Sequence, residues 1–180
     1  MTQEEKLLLI DLSSRVQYNV LVEQTWFPTY LAGKVQCLKS IQNNNTVTLC
    51  WRFDNEFVPI HEIKPYLRSM SSMANEEVKD LIKVKILSKY GKVGDYFGFN
   101  NIKSIKNIHF SSRYNEWFCD VTFNTIEDKF TTCFSVGRVT WETTIAEIDW
   151  LNAHHFDYRG LIEKGLALEA KEKMYKQLNN

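Results

Sequence analysis

The sequence predicts an α+β protein built from a small SH3-like antiparallel barrel, a helix, an antiparallel β-meander and a two-helix C-terminal tail. Three observations favour this fold class. Hydrophobic residues make up 44% of the 180 residues, which is enough for one sizeable core. Along the chain, the spacing of apolar residues is first helical, then alternating, then helical, then alternating again, and finally helical. Only three prolines and seven glycines are present, so we expect a single domain over residues 1–180 without a long linker.

Residues 1–70 are predicted to form an N-terminal helix followed by the barrel. Thr2 and Glu5 have the spacing of a capping box that starts this helix. Apolar residues alternate on both sides of an asparagine tract at 43–45, which predicts a hairpin. Pro65 follows a further short strand, and we expect it to stop the ladder because proline has no N–H. Four or five such strands in this stretch are typical of a small barrel.

Residues 71–91 are predicted to form a helix and residues 92–141 the meander. In one fragment of this helix, KVKIL, apolar residues also alternate with lysines, so a strand is the alternative there. In the meander, every second residue from Trp117 to Phe123 is apolar, which predicts a sheet with one face buried in the core. The helical face is expected to hold Val78, Leu81, Ile82 and Ile86.

Residues 142–180 return to helical spacing and are predicted to form the helical tail. Thr143 or Thr144 can cap its first helix, and Asp157 is expected to cap its second, because short polar side chains accept from the first backbone amides of a helix. The first helix would pack through Ile145, Ile148 and either Leu151 or Asn152.

The composition favours an intracellular protein. Two glutamates precede the short apolar run near the N-terminus, a pattern unlike a signal peptide, and no stretch approaches ~18 continuous apolar residues. We therefore expect a cytoplasmic protein and no membrane association. The dispersed cysteines predict reduced thiols buried in strands, at Cys37, Cys50, Cys119 and Cys133.

The charge is balanced in total, yet residues 79–113 carry eight basic and two acidic residues. Aromatic residues are interleaved with these charges, so the segment is a candidate for nucleic-acid or nucleotide binding. The plainer interpretation is a set of solvated helix and strand faces, because a pI of about 6.9 lies below the range typical of nucleic-acid binders. The candidate binding residues here are Lys103, Lys106 and Arg113.

A pair of histidines lies in the tail. His154 and His155 cannot both bind one metal from a regular helix, because adjacent residues point about 100° apart. His154 and Asp157 are three residues apart and could converge on a metal or a proton-transfer site. We prefer a helix-to-helix corner, in which His155 and Phe156 pack inward. No metal or cofactor is predicted, and the candidate binding residues at this corner are His154, Tyr158 and Arg159.

Tyr66 and Arg68 lie beside Met70 and Met73, just past the predicted barrel. An aromatic residue and an arginine next to flexible methionines could form a groove for a peptide or partner. The alternative is structural: Tyr66 closes the end of the barrel, and the methionines fill gaps against the next helix.

Three segments carry a family resemblance: LLLIDLSSRVQYNVLVE at 7–23, IKPYLRSMSSM at 63–73 and DWLNAHHFDYRGLIEKGLALEA at 149–170. Together they resemble a family of small proteins of gut Bacteroidales, their prophages and their phages. The resemblance implies an origin in a phage or mobile element, and therefore a location in the host cytoplasm, or in the virion if the protein is a phage structural protein. It carries no established activity. Ser13 stands where these proteins often have cysteine, and Ser69 where proline is common.

The sequence therefore favours a non-catalytic interaction protein whose partner is a host or phage protein. Binding of a nucleic acid or nucleotide, including sequestration of a phosphorylated signal, through residues 79–113 is the alternative. A hydrolase using His154 and Asp157 is the third hypothesis. Since the middle of the chain is bulkier than in the resembling family, a specific function added to the scaffold is expected there.

Overall fold

The computed structural model describes residues 1–25, 35–42, 46–51, 54–90, 102–124, 129–171 and 174–175. The chain divides into two compact units: unit 1 comprises Met1–Ser69 with Asn152–Asn180, and unit 2 comprises Met70–Leu151. Both contain helix and sheet, which confirms the α+β class. The expectation of a single domain stays a prediction.

Three helices and nine strands are present in the described part of the chain. The helices are α1 (Gln3–Arg15), α2 (Asn75–Tyr90) and α3 (Ile145–Ala153). The strands are β1 (Leu21–Gln24), β2 (Val35–Gln42), β3 (Thr46–Trp51), β4 (Asp54–Pro59), β5 (Ile63–Leu67), β6 (Ile102–Ser111), β7 (Glu116–Asn124), β8 (Lys129–Val136) and β9 (Leu168–Glu169).

Unit 1 begins with α1, whose predicted capping box is confirmed. The Thr2 hydroxyl accepts from the Glu5 amide at 3.1 Å, and the Thr2 amide donates to the Glu5 carboxylate at 2.6 Å. Leu8 and Leu12, one helical turn apart, are buried in the core of unit 1. That core also contains buried residues of the first five strands, so α1 covers one side of the sheet with its apolar face.

The strands of unit 1 form a mixed sheet in the order β4-β3-β2-β1-β5-β9. The predicted hairpin is confirmed by the antiparallel pairing of β2 with β3, in which Leu38 lies opposite Leu49. The asparagine tract at 43–45 lies outside the described residues. The predicted SH3-like barrel is corrected: β4 and β9 are the two ends of the sheet order and do not pair with each other in the described structure. A closed barrel would require that pairing.

Pro65 does not stop the ladder as predicted, because it lies inside β5, where Val22 of β1 is its antiparallel partner. On the other side of β5, the parallel pairing with β9 starts only at Tyr66. Proline is tolerated in a strand where its missing N–H is not needed for a neighbouring strand. The parallel β5–β9 pair is what makes the sheet mixed.

The described residues of the tail, 142–171 and 174–175, contain one helix, so the predicted two-helix tail is wrong in part. Thr144 and Glu147 form a capping box at the start of α3, as expected for one of the two threonines. Leu151 and Asn152 are buried, whereas Ile145, expected on the same packed face, is 79% exposed. After α3, residues 158–167 form turns and bends instead of a second helix, and the chain then enters β9.

Unit 2 contains α2 and the meander, both as predicted. The four apolar residues expected on one face of α2 are all buried, so the strand alternative for KVKIL is excluded. The meander has the order β6-β7-β8, and β7 alternates between buried and half-buried residues from Trp117 to Phe123. Helix α2 contacts both outer strands, β6 and β8. Residues 91–101, which include the predicted end of this helix, and residues 125–128 of the predicted meander lie outside the described residues.

The helices that the structure describes include none with the length and apolar character needed to cross a membrane.

Candidate functional site

The predicted corner of unit 1 is built around a fully buried ion pair. Asp11 and Arg15 of α1 are both 0% exposed, and Arg15 Nε and Nη2 donate to the Asp11 carboxylate at 2.8 and 3.1 Å. Arg15 Nη2 also donates to the carbonyl oxygen of Phe156 at 2.8 Å. Arg159 Nε lies 3.2 Å from the same carboxylate, in an ion pair whose N–H is not aligned for a hydrogen bond. The ion pair thus joins α1 to the tail.

Asp157 stabilises a turn instead of a helix start. Its two carboxylate oxygens accept from the amides of Leu161 and Ile162, each at 2.8 Å. Tyr158 anchors the corner as expected, because its buried hydroxyl donates to Asn152 Oδ1 at 2.9 Å. Both oxygens of Asp157 are engaged by backbone amides, which argues against this carboxylate as the general base of a hydrolase.

His155 is the buried histidine of the corner, and His154 is half-buried. His155 is 7% exposed and has a positive φ of 60°. Burial, reinforced by the charges of Arg15, His154 and Arg68, lowers the pKa of His155 to about 3. Its Nδ1 atom has no hydrogen-bond partner in the described structure. The ring is therefore neutral at physiological pH and acts as a packing element.

Tyr66 and Arg68 contribute to the same corner of unit 1. Tyr66 is buried, its hydroxyl donates to Glu23, and burial followed by this hydrogen bond and the Glu23 charge raises the pKa of Tyr66 to about 12. The Arg68 guanidinium lies 4.2 Å from the centre of the Phe156 ring. The Arg68 backbone bonds to His155 and Asp157, both at 2.8 Å. These contacts give both residues a role in holding the corner, although Tyr66 does not close a barrel as expected, because the sheet is not closed.

The lysines of residues 79–113 fall into two groups in unit 2. On α2, Lys79 and Lys83 lie 2.5 and 2.9 Å from Glu76 and Asp80, so their charges are locally balanced. The candidates Lys103 and Lys106 lie on β6 and are exposed. The sequence alone did not separate the balanced lysines from the others.

Lys103 has a basic neighbour that sequence reasoning missed. Contact with the Lys129 ammonium, then burial, then the charges of Lys129 and Lys106 lower the pKa of Lys103. Lys129 begins β8, so the pairing of strands brings it to residues more than 20 positions earlier in the chain. Arg113 lies in the turn after β6, with its guanidinium 5.4 Å from the centre of the Tyr114 ring.

Unit 2 also displays an exposed apolar loop that was not predicted, the Trp141 loop, defined as residues 138–145. Trp141 is 92% exposed, and Ile145 and Val139 are 79% and 40% exposed. The loop is held by hydrogen bonds: the Thr140 amide donates to Thr143 Oγ1 at 2.8 Å, and the Thr143 amide donates to the Thr140 carbonyl at 3.1 Å. A tryptophan within a threonine-rich turn, directly before a capping box, is the sequence signal that could have identified it.

A groove of about 410 Å³ lies beside the Trp141 loop in unit 2. Glu142 of the loop lines it and accepts from Lys89 of α2 at 2.9 Å, a contact that lowers the pKa of Glu142 and raises that of Lys89. Lys85 donates to the carbonyl of Ser135 in β8 at 2.6 Å. The groove is also lined by Tyr90, Phe130 and Cys133.

The cysteines whose side chains the structure describes are free thiols. Cys119 is buried, and burial raises its pKa to about 12, whereas Cys133 is exposed, which corrects the expectation that all four are buried. Among the described residues, no three His, Cys, Asp or Glu side chains are close enough to hold a metal ion.

Comparison of the chain with protein-family models, with curated proteins and with solved structures finds no match. The family resemblance therefore stays a prediction, and the geometry of the two units carries the functional argument.

Proposed function

We propose that the protein is a non-catalytic interaction module of phage or mobile-element origin, which binds a host or phage protein through the Trp141 loop. The observation that carries this proposal is the 92% exposure of Trp141. Burying a tryptophan at an interface removes a large apolar area from water, and tryptophan is among the residues most enriched at energetic hot spots of interfaces. The nearby exposure of Ile145 and Val139 enlarges the apolar patch.

The hydrogen bonds within the loop support a role in binding. Thr143 bridges the loop, because its hydroxyl accepts from the Thr140 amide and donates to the Arg138 carbonyl at 3.3 Å. A loop already held in one conformation loses little entropy when a partner binds, so more of the contact energy remains as affinity.

The groove beside the loop gives this surface a concave region. Two of its three aromatic residues, Tyr90 and Phe130, are 37% and 45% exposed, and Glu142 belongs to both loop and groove. A partner anchored on Trp141 can therefore place a second side chain in the groove. The proposed setting is the host cytoplasm, or the virion if the partner is a phage structural protein, and no cofactor is required.

The proposal is tested by capture from host lysate and from phage-infected lysate with immobilised wild type, Trp141→Ala and Phe57→Ala. Phe57 is the matched control, because it is an exposed aromatic residue (66%) in unit 1. A hot-spot tryptophan is worth about 2 kcal/mol or more, so Trp141→Ala should weaken a captured partner about 30-fold while Phe57→Ala leaves it unchanged.

Two results would contradict the proposal: a wild-type bait that recovers nothing above background from either lysate, or a partner retained equally by Trp141→Ala. Sedimentation of the purified wild type and Trp141→Ala identifies self-association. If the tryptophan only mediates contact with a second copy, the binding of a different protein is excluded.

A further inference from the structure

The meander of unit 2 has an outer face that none of the roles above uses. Trp117, Cys119, Val121 and Phe123 of β7 point to the buried side, so the residues between them point to the opposite face. Through the strand register, this outer face contains the pairs His109–Phe118, Lys106–Asp120 and Ser104–Thr122. On the other side of β7, Thr131 and Lys129 face outward beside Thr122 and Asn124.

One end of this face is a cluster of positive charge formed by Lys103, Lys106 and Lys129. The first two are exposed, and no carboxylate of the described residues lies within ion-pair distance of either. Asp120 lies opposite Lys106 in the strand register, and its carboxylate accepts from the Asn107 side chain at 2.6 Å. Contact with the Lys129 ammonium is the largest cause of the lowered pKa of Lys103, and the charges of Lys129 and Lys106 add to it, which indicates a positive potential at this end of the face.

The other end is aromatic. The rings of His109 and Phe118 are stacked, with centroids 5.7 Å apart and planes 17° apart. Tyr114, 45% exposed, meets Phe118 edge-on at 6.3 Å, and Arg113 lies over Tyr114. Exposed rings beside an arginine are a surface on which unpaired bases can stack.

The two ends are close enough to act on one ligand. Ser104, next to Lys103, and His109 pair with Thr122 and Phe118, which are four residues apart in β7. At about 3.3 Å per residue the two ends therefore lie roughly 13 Å apart, the length of a few nucleotides of an extended strand. A backbone of negative phosphates fits the lysine cluster, and exposed base faces fit the aromatic end. A duplex hides its base faces, and an acidic protein segment has none.

We propose that the outer face of the meander binds single-stranded nucleic acid, with phosphates contacting Lys103, Lys106 and Lys129 and bases stacking on Tyr114, Phe118 and His109. This site is separate from the Trp141 loop in its residues, so each of the two proposals can fail without the other.

Fluorescence anisotropy with labelled 12-nucleotide dT and U oligomers tests the charge contribution. The variant K103Q/K106Q/K129Q is compared with K6Q/K79Q/K83Q, which removes the same charge from lysines elsewhere. We expect at least a tenfold loss of affinity for the first variant and less than twofold for the second. Single strands give a slope of log K against log salt of roughly −0.7 per phosphate contact, so the first variant should also flatten this slope by about 2.

Replacement of an exposed aromatic residue tests the stacking contribution. Tyr114→Ala should lower the affinity about tenfold without changing the salt slope, whereas Phe57→Ala, which removes an exposed aromatic residue of unit 1, should leave the affinity unchanged. Three results would overturn the proposal. The first is absence of binding to both oligomers at 20 mM salt, and the second is an equal affinity for a 12-base-pair duplex or for heparin. The third is an equal loss of affinity in the lysine variant and in its control. A preference between dT and U identifies the natural polymer.

Discussion

His155 stacks on Tyr175, with ring centroids 3.6 Å apart and planes inclined by 13°. The Tyr175 hydroxyl in turn donates to the Tyr66 carbonyl and accepts from the Leu21 amide, so the far end of the chain is fastened to β1 and β5. Burial is the main cause of a raised pKa for Tyr175. The stack brings together two rings that are uncharged at neutral pH, and this gives the corner a defined response to acid.

We predict that unit 1 loses stability on acidification between pH 6.5 and about 3. Folding lowers the pKa of His155 from 6.5 to about 3, so within this window the unfolded chain binds a proton that the folded chain does not. The free energy of unfolding therefore falls with decreasing pH, by up to about 1.4 kcal/mol per pH unit, and is unaffected by this residue above pH 6.5. Urea denaturation at pH 7.5, 6.0 and 5.0 measures the slope.

His155→Asn should flatten this pH dependence, since asparagine tolerates the positive φ and does not titrate. His61→Asn is the control and should retain the wild-type slope, because the His61 side chain is 60% exposed. If His155→Asn keeps the wild-type pH dependence of the free energy of unfolding, this dependence does not come from His155.

Arg15→Met is predicted to destabilise unit 1 by about 3–5 kcal/mol, because it leaves the buried Asp11 carboxylate without its main partner. Lys83→Met is the matched control: it breaks an ion pair with Asp80 in which the lysine side chain is 38% exposed, and it should cost less than about 1 kcal/mol. Chemical denaturation monitored by circular dichroism compares the two. Similar small effects for both variants would mean that the buried pair does not hold the corner.

Asp157→Ala is predicted to cost about 2 kcal/mol or more, because the amides of Leu161 and Ile162 lose their acceptors in a buried turn. Asp149→Ala removes an exposed carboxylate from α3 and should change stability by less than about 0.5 kcal/mol. Hydrogen exchange locates the effect: protection of the amides at 161 and 162 should fall in Asp157→Ala alone. Retained protection would show that another group accepts from them.

Gly137→Ala is predicted to destabilise unit 2 more than Gly165→Ala destabilises unit 1. Both glycines have positive φ, at 103° and 69°, but a Cβ at Gly137 would lie 2.4 Å from Met70 Cε, whereas one at Gly165 meets nothing within 4 Å. A double-mutant cycle with Met70→Ala isolates the clash, and we expect a coupling energy of about 1 kcal/mol or more. If the effects of the two substitutions are additive, the destabilisation by Gly137→Ala comes from backbone strain alone and not from the clash with Met70.

The predictions that succeeded rest on local patterns. Helix α2 follows from four apolar residues on one face, and β7 follows from strict alternation of apolar residues, because each pattern sets burial within a single element. The capping boxes at Thr2 and Thr144 likewise involve residues three positions apart.

The fold predictions that failed depend on contacts between distant residues. Whether strands close into a barrel is decided by pairing across the whole sheet, and β9 has only two residues, too few to leave a pattern. Asp157 has the correct chemistry for a helix cap, but the residues it contacts form turns, because the chain leads directly to a strand pairing with β5.

In the candidate site, too, residues brought together by contacts between distant parts of the chain were not predicted. Lys103 and Lys106 were identified from charge density, while Lys129 was missed because only strand pairing places it next to them. Trp141 was missed because an apolar residue is ordinarily expected in the core, although its place in a threonine-rich turn before a capping box was a sequence signal for a surface loop.

The division of unit 1 into two separate stretches of chain has a consequence during synthesis. Unit 2 is continuous, so it can complete its folding as soon as residue 151 has emerged from the ribosome. At about 5–20 residues per second, the interval between translation of β5 and of β9 is roughly 5–20 s. Until these segments have been translated, β5 lacks its parallel partner and the Asp11–Arg15 pair lacks the Phe156 carbonyl. The nascent chain thus passes through a stage in which unit 1 exposes an unfinished sheet, and this is the stage at which a chaperone would act on it.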